Sequence, residues 1–228
     1  MRTLIYVPII HTSADLGSLA KDVANRGIAN LGEDIWKEHQ RTVEGLWDAI
    51  SDYFASIDVS GMKIYQDGMI AEGEIGEKIV EECVKSGSRN YELVARLLKR
   101  GATLIKTEDF NLVKEERDRL FKITHSKTKF EKLFEFIKYK LTKNTLLNKR
   151  DRFIAQRIDE SLPEDQTGIL FIGAYHNIRP KLHRDIQIKE VKIEQKVKEY
   201  QLLLPFYYRD RQRFEKLSGY LTSEIEKI

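Results

Sequence analysis

Two histidines and three acidic residues of this chain stand at the ends of short apolar runs. His11 follows Leu4-Ile5-Tyr6-Val7-Pro8-Ile9-Ile10, Asp67 closes Met62–Gln66, Glu108 and Asp109 come just after Ala102–Lys106, and His176 follows Gly168–Gly173 closely. Imidazole together with carboxylate is a good ligand set for a divalent ion such as Zn, Mn or Co. Such an ion polarises a carbonyl and acidifies water, which is hydrolytic chemistry. His11, His176 and Asp67 are therefore the expected metal ligands. Glu108 is the acid expected beside them, and Arg152 is placed to stabilise negative charge developing on a substrate. Tyr175, next to His176, can line a pocket or act as an acid. With one cysteine, Cys83, and no Gly-x-Ser-x-Gly elbow, covalent hydrolysis is the less attractive route.

Each residue also has a purely structural reading. Asp67-Gly68 is a common turn pair. Asp109 precedes a helical pattern and can simply cap it, which leaves Glu108 as the acid more suited to a site. Ser88-Arg89-Asn90 can hold an anion at a helix start, but ordinary capping explains it as well. A single histidine after a strand is usually just a satisfied polar residue, whereas two at equivalent positions suggest a shared site. His39 falls on an apolar helix face and reads as core.

The elements that position these residues alternate between strand and helix. Strands are expected at residues 3–10, 62–66, 102–106 and 168–173, with a fifth carried by Ile186, Ile188, Val191 and Ile193. Helices are expected from Leu16 with Asp15 as cap, from Glu33 to Ile57, from Glu74 to Lys85, from Ser88 to Arg100 and through most of 110–162. Another follows the last strand and is broken at Pro205. This order predicts an α/β fold with a largely parallel central sheet flanked by helices. The reading is one domain over 1–228 with a helical insertion at 110–150. In such sheets ligands bind outside the carboxyl ends of the strands, where the two histidines and the acids fall.

Gly173-Ala174-Tyr175-His176, at the end of an apolar strand and preceded by a helix carrying Arg152, resembles the second GxxH motif of the TraB/PrgY–Tiki group. That group lies within the erythromycin-esterase/ChaN-like superfamily. Its first GxxH motif ends the N-terminal strand; the corresponding place here reads Pro8-Ile9-Ile10-His11, with the histidine kept and the glycine absent. The resemblance implies an α/β fold and, for some members, metal-dependent peptide or ester hydrolysis. Other relatives bind haem or have no established activity.

Composition narrows the remaining choices. Net charge is +3, from 39 basic against 36 acidic residues, so the chain as a whole does not attract nucleic acid. Mean hydropathy is -0.46, and no apolar run is long enough to span a membrane. A lone cysteine and no export segment fit a cytoplasmic setting. The charge is uneven, however: Lys114–Arg150 holds twelve Lys/Arg and five Asp/Glu, interleaved with Phe121, Phe130, Phe134, Phe136 and Tyr139. A solvated lysine face over packed phenylalanines is the favoured reading, with nucleic acid or an amphipathic membrane contact as rivals. Leu202, Leu203, Leu204, Phe206, Tyr207 and Tyr208 can close the core or form a homodimer contact. The partner expected at the site is a small-molecule or peptide substrate; a non-catalytic ligand- or partner-binding module on the same fold is the alternative.

Overall fold

The computed structural model describes residues 1–12, 14–15, 20–126 and 128–226. Five strands form one all-parallel sheet: β1 (Arg2–Ile9), β2 (Lys63–Gln66), β3 (Thr103–Ile105), β4 (Thr167–Gly173) and β5 (Ile186–Glu190), in the order β3-β2-β4-β1-β5. The α/β reading therefore stands, and every strand pair is parallel. Helices α1 (Ala20–Leu31) and α2 (Glu33–Ala55) follow β1, and α3 (Gly73–Lys85) and α4 (Arg89–Lys99) follow β2. Helices α5 (Phe110–His125) and α6 (Lys129–Ser161) join β3 to β4, and α7 (Glu194–Leu203) and α8 (Arg211–Thr222) follow β5.

Alternation along the strands builds two cores. Ile5, Val7 and Ile9 of β1, with Ile169 and Phe171 of β4, face Leu46, Trp47, Ile50 and Phe54 of α2, Leu93, Val94 and Leu97 of α4, and Phe214 of α8. Leu4, Tyr6, Leu170 and Ile172 face the other way, against Ile154, Ala155 and Ile158 of α6. A parallel strand buried on both sides must be apolar throughout, which explains the unbroken runs in β1 and β4.

The helix start at Leu16, with Asp15 as its cap, lies outside the described residues; the Asp15 carboxylate itself accepts the Thr12 N–H at 2.6 Å. Residue 150, where the insertion is expected to end, falls within α6. α6 runs unbroken from Lys129 to Ser161 because no Gly or Pro interrupts it and the Thr128 hydroxyl caps its start by accepting the Glu131 N–H. Finally, the aromatic-leucine cluster near Pro205 divides: Leu203, Leu204 and Tyr207 pack against the core, while Leu202, Phe206 and Tyr208 stay exposed.

Candidate functional site

β2 leads outward to β3, and β4 leads the opposite way past β1 to β5. The crevice beyond the carboxyl ends of these adjacent strands is the place where such sheets bind ligands. Here it is a cleft of about 780 Å³, with His11, Asp67, Arg150, Gly173, Tyr175 and His176 among its lining residues.

Asp67 sits at the centre. Gly68 follows at φ 81°, a conformation that favours glycine, and turns the chain away at once. One Asp67 oxygen, Oδ1, accepts from Arg150 Nη2 at 2.7 Å. The other, Oδ2, accepts the Gly173 N–H at 3.1 Å. Two imidazoles face that same oxygen, His176 Nε2 at 3.4 Å and His11 Nε2 at 3.8 Å. A Cβ built on Gly173 would lie 3.3 Å from Asp67 Oδ2 and 3.7 Å from His11 Nε2, so a side chain there would crowd the space these groups share.

His176 is aimed by two contacts. Its backbone N–H donates to Gly173 O at 3.0 Å, closing the turn after β4. Its Nδ1 meets Asp151 Oδ1 at 2.6 Å, which leaves Nε2 turned toward Asp67. Asp151 is fixed in turn by the Asn177 N–H at 3.0 Å and by Lys181 Nζ at 3.3 Å. A carboxylate behind an imidazole sets its tautomer and raises its basicity, as behind metal-bound histidines.

Glu108 is fully buried. Its Oε1 accepts Arg150 Nε at 3.0 Å, while Oε2 has no hydrogen-bond partner. Arg150 also pairs with Glu116. Asp67, Glu108 and His176 each bring one donor atom within 4.8 Å of the others, the spacing of a candidate metal site.

The electrostatics follow from this crowding. Burial opposes charge on His176, but Asp67 and Asp151 outweigh it and raise its pKa to about 10. Burial likewise opposes charge on Asp67, and the imidazoles with Arg150 overcome it, holding the carboxyl well below its usual range. At Glu108 burial prevails over Arg150, and the pKa rises to about 7. His11, whose side chain is 41% exposed, is raised as well: the Asp67 carboxylate outweighs desolvation.

The strand-end residues His11, Asp67, Glu108 and His176 thus come together as one cluster. Asp109 does not join them. Its side chain caps α5, accepting from Asn111 N at 2.8 Å and Leu112 N at 3.0 Å. Ser88 caps α4 by accepting the Tyr91 N–H. Tyr175 lies at the cleft rim, 47% exposed, with Lys198 Nζ 5.8 Å from its ring centre.

Arg152 is the misplaced expectation. It is exposed and lies on another face of α6, beside Ala155 and Arg184. Two residues along a helix turn a side chain by about 200°, so the cleft receives Arg150 instead. Sequence reasoning missed Arg150 and the orienting role of Asp151. A signal was present: Leu146, Arg150, Ile154 and Ile158 recur every fourth residue, all buried, and an arginine within an apolar stripe needs a partner.

Comparison with known proteins finds no match to this chain among protein-family models, curated proteins or solved structures.

Proposed function

We propose that the cleft is a metal-assisted hydrolytic site acting on a peptide or ester, with His11, His176 and Asp67 as ligands and Glu108 beside them. The observation that carries this reading is the approach of both imidazole Nε2 atoms to one oxygen of Asp67, at 3.4 and 3.8 Å. Donors about 2.0–2.2 Å from a shared tetrahedral ion lie at about this separation. The unpartnered Oε2 of Glu108 adds a free lone pair.

When bound, a divalent ion supplies Lewis acidity at a carbonyl and lowers the pKa of water. The chain's own residues do the rest. Asp151 holds the His176 ring in one orientation. Arg150 neutralises Asp67 and Glu108 and presents a fixed cation beside the cleft, where an oxyanion is stabilised. Glu108, with its pKa near neutrality, can accept and return a proton. Tyr175 forms part of the rim over which a substrate enters. The resemblance of Gly173–His176 to a GxxH motif supports the same reading.

Calorimetric titration of purified protein with Mn, Zn and Co tests it, run in buffers of different ionisation enthalpy. Expected are one site and release of protons as the imidazoles give up theirs, loss of binding in His176→Ala, and ion-dependent cleavage of generic esters or peptides. The contacts of Arg150 with both Asp67 and Glu108 favour a second reading, a self-neutralised network lining a binding cleft without catalysis. Absence of ion binding by the wild-type chain would decide for that one.

A further inference from the structure

α6 is apolar on two sides. Beyond the sheet its first half packs on α5, and on the outward side Phe130, Leu133, Phe134, Ile137 and Leu141 remain 81%, 56%, 60%, 48% and 76% exposed. At about 100° per residue these five fall within about 100° of arc, a ridge about 17 Å long. An isolated exposed leucine is unremarked in any protein, but a contiguous stripe of this kind marks a contact surface.

Charge decides what the ridge contacts. The stretch of sequence that carries it, residues 127–143, holds six lysines against two glutamates. A second copy laid on this face would bring two equal positive excesses together. Acidic headgroups offer the opposite charge, and the boundary beneath them receives phenylalanine and leucine side chains to a shallow depth.

We propose that the outward face of the first half of α6 adsorbs to an anionic bilayer surface. The basic hairpin supplies the attraction and the five-residue stripe the shallow insertion. Tyr139, Lys143 and Leu147, from other faces of the same helix, line the cleft, so an adsorbed molecule keeps its cleft open to water. This inference is independent of the metal reading.

Cosedimentation of the full chain with vesicles tests it. Binding to phosphatidylcholine mixed with phosphatidylglycerol is expected at low salt, falling as salt rises, with little binding to phosphatidylcholine alone. The pair Phe130→Ser and Phe134→Ser should weaken binding about tenfold or more without shifting the melting temperature, because both side chains are exposed. Tryptophan emission of Phe134→Trp, compared with wild type, should shift to the blue on the mixed vesicles and be quenched by brominated acyl chains. The proposal is overturned by absent binding to the mixed vesicles, by equal binding of the serine pair, or by unmoved emission. It is overturned equally if the wild-type chain sediments as a dimer that the serine pair converts to a monomer, since the face would then belong to a second copy.

Discussion

Arg150 is the residue on which the cluster's electrostatics turn. Its guanidinium contacts Asp67, Glu108 and Glu116, and its side chain is 9% exposed. Removing one partner of a buried ion pair leaves the others uncompensated, at a cost of about 3–5 kcal/mol. Arg150→Met should therefore lower the free energy of urea unfolding by about that much, and adding Asp67→Asn with Glu108→Gln should recover part of it. A single variant as stable as wild type would show that the charges are not coupled. Asp151→Asn acts differently. It should keep the fold but loosen the His176 ring, and on the proposed metal reading the affinity for the ion should drop about 10- to 100-fold in the same titration. The four strand-end residues were legible because each ends an apolar run, and a strand end has one obvious destination. Arg150 and Asp151 were not, because a helix brings them in from the side. Only the position of Leu146, Ile154 and Ile158 on the same stripe betrays where Arg150 points.

At the scale of elements, α6 covers one sheet face through its last turns, while five helices share the other. Ile158 is fully buried against that face. Ile158→Ala should cost about 2–5 kcal/mol, read by thermal or urea unfolding. α2 and α7 meet through His39, whose Nδ1 lies 3.0 Å from the Tyr200 hydroxyl. Burial lowers its pKa to about 4. The folded state then binds fewer protons than the unfolded chain, whose histidine titrates near pH 6.5. Stability should fall as pH drops from about 6.5 toward 4 and level off below that. In His39→Gln this part of the slope should disappear from a series of unfolding curves taken across that range. Strands and most helices were legible from local pattern. The length of α6 was not, since the insertion was expected to end at residue 150 although nothing there breaks a helix.

For the whole molecule, the sheet order β3-β2-β4-β1-β5 was beyond local reading, because parallel pairing joins residues far apart in number. Arg2 shows how the distant parts are tied: its guanidinium reaches Asp159 at 2.6 Å and Asp185 at 2.8 Å, joining β1 to α6 and to the approach of β5. The three elements should loosen together when this clamp is removed. Faster amide exchange in β5 and the last turn of α6 is the expected signature of Arg2→Met, and unchanged protection there would count against the clamp. The place of β1 has a consequence for biosynthesis. Thr3 pairs with Thr167, and Arg2 with Ile186. A ribosome adding about 5–20 residues per second leaves that greasy segment waiting on the order of ten to thirty seconds for either neighbour. During that interval only the short β2–β3 pairing can form, and the nascent chain offers a chaperone a long-lived target.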